Sequence, residues 1–287
     1  HEWDGIEELN TPLPRWWLWT FYLTIIFAIV YVILYPAWPM IDRATTGTLG
    51  WSSRGDLAEE MHVADQAQVA FRDQLARIPI ERLPDDSALM AQAVAGGRAA
   101  FQVNCSQCHG SGAAGNQELG YPNLNDDDWL WGGDLKAIEY TLVHGIRWEE
   151  DDETRFSQMP SFAGILSDGD VAAVVQHVRS LSGKAQPNAA GAEVFANNCA
   201  ACHGENGQGG REFGAPRLND AIWLRGSSPE QIRSQILNPR MGVMPEWDKR
   251  LDPVTIKMLA AYVHSLGGGE EFVEVAEDPA VEVDEQP

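Results

Sequence analysis

Between residues 16 and 41 the chain carries no charged side chain, and the heart of this run, 16–35, is apolar at nearly every position. At about 1.5 Å of rise per residue, such a run spans roughly 30 Å, the thickness of a bilayer core, which predicts one membrane-spanning helix at 16–38. Trp16, Trp17 and Trp19 stand at one edge, Tyr35 and Trp38 at the other, where amphipathic rings settle at headgroup level, and Pro36 and Pro39 end the helix. A signal peptide is the competing reading, but its apolar region runs only about 7–15 residues to a small-residue cleavage site, a pattern not evident here.

Beyond the anchor the pattern changes from uniform to periodic. Residues 39–92 read as a connector: the turn-rich Thr45-Thr46-Gly47-Thr48, then a helical stretch at 56–76 in which Leu57, Met61, Ala64 and Leu75 approximate one apolar face. That face either packs a spacer helix onto its own domain or docks a partner subunit. Further helix-like patterns lie at 91–103, 168–180, 190–197 and 253–265, and strand-like runs are absent, so the domains should be mainly α with long loops.

These patterns belong to an internal repeat. Gly97, Phe101, Asn104, Cys105, Cys108, His109 and Gly110 recur 94 positions later as Gly191, Phe195, Asn198, Cys199, Cys202, His203 and Gly204. At the same offset Pro122, Leu124, Asn125, Asp126, Trp129, Leu130 and Gly132 return as Pro216, Leu218, Asn219, Asp220, Trp223, Leu224 and Gly226. The register then slips by nine residues, so that Met159-Pro160 matches Met244-Pro245 and Val178, Ser180 and Leu181 match Val263, Ser265 and Leu266. The slip coincides with the acidic run Glu149-Glu150-Asp151-Asp152-Glu153, expected to be a solvated loop on the first copy or a docking patch.

A length of 287 residues, 44% of them hydrophobic, accommodates two small globular domains plus these extra segments. The net charge of −22, from 42 acidic against 20 basic residues, argues against nucleic acid and anionic lipid surfaces as ligands and favours a basic protein partner. Past Gly267-Gly268-Gly269 the tail holds eight acidic residues and no basic one, and disorder is expected there. His1 stands where an initiator methionine would be expected, so processing or a preceding stretch is expected.

All four cysteines fall in two Cys-x-x-Cys pairs, each followed directly by histidine: Cys105-Ser106-Gln107-Cys108-His109 and Cys199-Ala200-Ala201-Cys202-His203. This is the attachment signature of c-type heme. Two thiols one helical turn apart reach the two vinyl groups of one porphyrin, and the adjacent imidazole then lies beneath the iron. Phe101 and Phe195, one turn back, could wall the group. A thioredoxin-like thiol pair would need a βαβ setting, and a four-cysteine zinc site would bring its pairs much closer than 94 positions. A second axial ligand would be Met, His or none. Met159 and Met244 are the candidates, since each precedes proline and they occupy matching places in the repeat; a soft thioether raises the potential relative to a second imidazole. Met241, His144 and His177 are rivals, but His144 has no counterpart and His177 matches Tyr262. Whether each methionine serves its own repeat or the neighbouring one stays open at this level. Trp129 and Trp223 are expected to cover apolar heme surface. Charge barely votes on orientation, with Arg15 before the anchor and Arg43 after it. Heme attachment of this kind belongs outside the bacterial cytoplasm, so the expected arrangement is a single-pass inner-membrane protein, N-terminus cytoplasmic, heme domains periplasmic.

The arm Trp3-Asp4-Gly5-Ile6-Glu7-Glu8-Leu9-Asn10-Thr11-Pro12-Leu13-Pro14-Arg15-Trp16-Trp17, one anchor helix and two cytochrome motifs in tandem resemble the diheme subunit III of cbb3-type cytochrome c oxidases. The resemblance implies a mainly α chain with one transmembrane helix followed by two tandem class I cytochrome c domains: arm 1–15, anchor 16–38, connector 39–92, domains 93–184 and 185–268, and acidic tail 269–287. It implies two covalently bound heme c groups on Cys105, Cys108, Cys199 and Cys202, with axial His109, His203, Met159 and Met244. It further implies that electrons arrive from a donor cytochrome c or the cytochrome bc complex and pass to the monoheme subunit, while the catalytic subunit reduces oxygen. The implied partners are therefore those two subunits, the donor and membrane lipid, with no nucleic acid and no catalytic residue in this chain. A diheme peroxidase, which would need an open iron position, and a cytochrome subunit of a periplasmic dehydrogenase are the competing classes.

Overall fold

The computed structural model describes residues 2–7 and 11–271; the expected disordered tail, from residue 272 on, lies outside the described residues, as do Glu8, Leu9 and Asn10 of the arm. The chain divides into two compact units, 1–70 and 71–287.

In the first unit, strands β1 (Glu2–Trp3) and β2 (Ile6–Glu7) form a small antiparallel hairpin. Its turn, Asp4-Gly5, has both residues at positive φ, the pairing a two-residue hairpin loop demands. Helix α1 (Arg15–Leu34) is long and apolar enough to cross a membrane, and none of its side chains is buried. It stops ahead of Pro36, since the residue before a proline is driven out of helical geometry. The chain then folds back so that the N–H groups of Thr48 and Leu49 donate to the carbonyls of Ile33 and Leu34, at 2.9 and 3.2 Å. The fold-back needs Gly47: its φ is positive, and a Cβ there would collide with the Leu34 and Tyr35 backbone.

Helix α2 (Ser53–Arg77) runs on into the second unit. Of its expected apolar face, Leu75 is fully buried whereas Leu57 and Met61 are more than half exposed. A short 3-10 stretch (Ile80–Asp85) leads into α3 (Ser87–Asn104), capped by the Asp86 carboxylate, which accepts from Ala88 and Leu89. The next helices are α4 (Ser106–His109), α5 (Leu135–His144), α6 (Asp168–Leu181), α7 (Ala189–Asn198), α8 (Ala200–His203), α9 (Pro229–Leu237) and α10 (Pro253–His264). Serine capping boxes open α6 (Ser167 with Asp170) and α9 (Ser228 with Gln231), and Asp134, Asn188 and Asp252 cap α5, α7 and α10.

Packing joins these helices crosswise. The helix before the first Cys-x-x-Cys-His turn, α3, and its companion α5 pack against α10, the last helix of the second repeat; α7 and α9 pack against α6, the last helix of the first. Two cores result. One holds Phe101, Cys105, Leu135, Ile138 and Leu142 with Ile256, Leu259 and Val263. The other holds Phe195, Ile232 and Ile236 with Val171, Val174, Val175 and Val178. At the tightest point of each crossing stands a repeated glycine: a Cβ on Gly97 would strike the Met258 carbonyl, and one on Gly191 the matching Ala173 carbonyl. A third cluster, Leu75, Leu83, Leu89 and Ala93 with Met258 and Ala261, ties the end of α2 to α10. There Lys257 Nζ donates to the Leu75 and Ile78 carbonyls at 3.0 and 2.7 Å, a cation on a helix C-terminus.

Candidate functional site

Both attachment turns are built alike. The long helix carries a fully buried phenylalanine, Phe101 or Phe195, one turn ahead of the first cysteine. It ends at Cys105 or Cys199, a four-residue helix carries the second cysteine and the histidine, and Gly110 or Gly204 at φ +78° turns the chain away. Cys105 is buried while Cys108 and Cys202 are exposed, and no disulfide joins either pair. Burial, and then the neighbouring cysteine of each pair, pushes the Cys105 and Cys199 thiols up to about 11. A thiol exchange pair needs the opposite, a depressed value from a nearby cation or helix N-terminus. Nor do the pairs converge: among the described residues no group of three potential metal-ligating His, Cys, Asp or Glu side chains forms.

The histidines are aimed by their neighbours. His109 Nδ1 lies 3.3 Å from the Pro122 carbonyl and His203 Nδ1 lies 3.0 Å from the Pro216 carbonyl. An N–H at Nδ1 that donates to a carbonyl leaves Nε2 with its lone pair, the form an imidazole needs to ligate iron. Burial holds both imidazoles below the ordinary histidine range, with the proline carbonyls pulling weakly the other way. Neutral, oriented imidazoles are therefore what the fold supplies.

The methionines follow the crosswise packing. Met244 packs against the core that contains Phe101 and Cys105, and Met159, like Cys199, packs against the core that contains Phe195. Backbone pairing holds each there. Met244 exchanges both hydrogen bonds with Ile146, and the Trp247 N–H donates to Leu142, which lies in α5. In the other half the Phe162 N–H donates to Ile236, the matching residue of α9. Each Cys-x-x-Cys-His turn thus shares a core with the other repeat's Met-Pro loop. Of the rivals, His144 Nδ1 lies 3.1 Å from Asp151 Oδ2, and the His177 ring stacks obliquely on Phe195 at 5.3 Å. The acidic run expected to be a solvated loop is in part folded down, since Asp151 turns inward to His144 and the Tyr140 hydroxyl donates to the Glu153 carbonyl.

The donor set fits a c-type heme on each turn: two sulfurs, a neutral imidazole with its far nitrogen free, and an apolar wall with a thioether in it. Four buried donors also lack a protein partner among the described residues, the indole N–H groups of Trp131, Trp148 and Trp223 and the Nε of Arg179. An uncompensated buried donor is costly, so such groups mark where a further acceptor belongs. Sequence reasoning missed the Pro122 and Pro216 carbonyls as histidine partners; the signal was there, a proline 13 residues after each histidine.

Comparison with known proteins matches three stretches of the chain to family models. Residues 1–42 match the family model of the N-terminal domain of cytochrome oxidase-cbb3, FixP; 94–182 match that of cytochrome c; and 186–263 match that of cytochrome C oxidase, cbb3-type, subunit III. The cbb3-type cytochrome c oxidase subunit CcoP of Cereibacter sphaeroides is 50% identical over 275 residues, 94% of each chain. Subunit FixP of Rhizobium etli is 51% identical over 272 residues, again 94% of each, and that of Azorhizobium caulinodans 51% identical over 274 residues, 94% of this chain and 92% of the relative. With arm, anchor and two cytochrome c segments in that order, and about half of all positions shared along nearly the whole length, the chain belongs to the CcoP/FixP family, subunit III of cbb3-type cytochrome c oxidases.

Proposed function

We propose that this chain is the electron-relaying subunit of a cbb3-type oxidase, that it carries two covalent hemes c, and that each heme is held by one repeat and closed by the other. The single-pass helix anchors it; oxygen reduction belongs to another subunit of the complex. Cys105, Cys108, His109 and Met244 would hold the first heme, and Cys199, Cys202, His203 and Met159 the second. When bound, such a group supplies a one-electron couple at its iron. The chain's part would be to hold His109, His203 and the two methionines in place and to keep water out with Phe101, Phe195 and the helix crossings, so that electron transfer needs little rearrangement. Because heme attachment of this kind occurs outside the cytoplasm, the arm lies on the cytoplasmic side and everything after the anchor on the periplasmic side. Electrons enter from a donor cytochrome c or the cytochrome bc complex and leave to the monoheme subunit. The acidic surface suits a basic donor, and the input rate should then fall as salt rises.

The crosswise sharing of cores carries this reading. It is tested with single-heme variants. In a chain whose first turn is disabled (Cys105→Ser with Cys108→Ser), Met159→Ala should abolish the methionine-to-ferric-iron charge-transfer band and Met244→Ala should leave it. The opposite assignment would overturn the crosswise part. Intact bands in both would remove the methionines altogether.

A further inference from the structure

The seam between the two repeats gathers arginines that form no ion pair among the described residues. Arg147 is half-buried there: its Nε donates to the Ser157 carbonyl and its Nη1 to the Gly242 carbonyl, at 2.8 and 2.9 Å. Gly242 in turn sits against the Gly120 carbonyl, and a side chain at Gly120 would collide with the Arg225 guanidinium. At the equivalent place in the other copy, a side chain at Gly214 would collide with the Trp131 ring. Trp131 and Arg225 occupy matching positions of the repeat, so the seam is two-fold in layout, with an indole at one site and a guanidinium at the other.

None of Arg147, Arg225 and Arg240 makes an ion pair with any described residue, in a chain of net charge −22. Burial, and then Arg225, lowers the Arg147 guanidinium; burial, and then Arg240, lowers that of Arg225. The groups acting on the two arginines are thus cations like themselves. The indole N–H of Trp131, whose ring lies against Gly214, and that of Trp148, next in sequence to Arg147, are both buried without an acceptor among the described residues. Clustered cations and orphaned donors disfavour the fold unless an anion joins them.

We propose that Arg147 and Arg225, with the Trp131 and Trp148 indoles, form one shared receptor for the propionate carboxylates of both hemes. This rests on the reading that two hemes c are bound. A carboxylate accepts from a guanidinium and from an indole N–H in charge-assisted bonds, and the cations offset its charge. A receptor common to both repeats makes the two potentials respond together. Arg147 and Arg225 act here as positioning residues, and their removal disfavours adding an electron at either iron.

The experiment is an EPR-monitored redox titration of the full chain in its oxidase, with Arg147→Gln, Arg225→Gln and Arg225→Lys beside wild type. Heme content after denaturation and the methionine charge-transfer band are measured on each sample. We expect both c hemes of Arg225→Gln to shift toward the ferric form about tenfold at fixed ambient potential, or roughly 59 mV for a one-electron couple. Arg225→Lys should recover most of that shift. Arg233→Gln, which removes an exposed arginine paired with Asp168 at 2.8 Å, should leave both hemes within about twofold. Should Arg147→Gln fail to incorporate heme, Arg225→Gln decides alone. Potentials unchanged within about twofold in Arg225→Gln, with heme and band intact, would overturn the receptor, and a shift confined to one heme would overturn its being shared. Absence of covalent heme in wild type would instead defeat the functional reading itself.

Discussion

Cutting the chain between its repeats separates the crosswise arrangement from a simple tandem one. A fragment of residues 71–184 keeps α3, α4 and α5 but loses α10, and with it Ile256, Met258, Leu259 and Val263, which are 2%, 8%, 0% and 6% exposed in the whole chain. Burying a side chain of this size contributes about 1.5–3 kcal/mol, so the four together are worth roughly 6–12 kcal/mol. A domain's entire stability is about 5–15 kcal/mol, so neither 71–184 nor 185–271 should fold alone. Co-expressed, the two fragments should assemble one to one, because each supplies the helix the other lacks. The assay is thermal unfolding by circular dichroism on each fragment and on the mixture, with size determination by light scattering. A monomeric, cooperatively melting 71–184 fragment with a midpoint near that of the whole chain would refute the reasoning.

The helix crossings should tolerate no side chain: Gly97→Val and Gly191→Val each place carbon against a backbone carbonyl, and each should cost at least the roughly 1–3 kcal/mol of an overpacked core, read as a lower denaturation midpoint. Asp128 carries a pH signature. Burial first, and then Asp220 and Asp126, raise its carboxyl from the ordinary 3.8 to about 6, so the folded chain keeps a proton that the unfolded chain releases. The stability this confers is complete below about pH 4 and is lost as pH rises through about 6. Asp128→Asn should therefore raise the melting temperature near pH 7.5 and change nothing near pH 3.5; a stabilisation independent of pH would point to another cause.

Much of this protein could be read from residue order. The anchor was legible because a bilayer imposes a length and a polarity on the chain that crosses it. Helices at 91–103, 168–180, 190–197 and 253–265 were expected within a few residues of α3, α6, α7 and α10, since each has one buried stripe. Helices α5 and α9 went unread although their caps stand in the sequence, Asp134 ahead of one and Ser228-Pro229-Glu230-Gln231 opening the other. At ten and nine residues they are too short for periodicity to announce them. The Asp4-Gly5 hairpin was passed over for a similar reason, its strands being two residues each.

The attachment turns themselves are local: two cysteines and a histidine within five positions act through one helical turn, so sequence alone determined them. What only the tertiary structure decided is which halves share a core. A repeat makes α6 and α10 alike, and two alike helices fit either groove; periodicity names the face to be buried and is silent about its partner. That choice is made by long-range contacts, Gly97 against Met258 and Gly191 against Ala173, with Met244 drawn to the Cys105 core and Met159 to that of Phe195. The arginine seam was hidden for the same reason, because Arg147 and Arg225 become neighbours only after the two repeats have closed on each other.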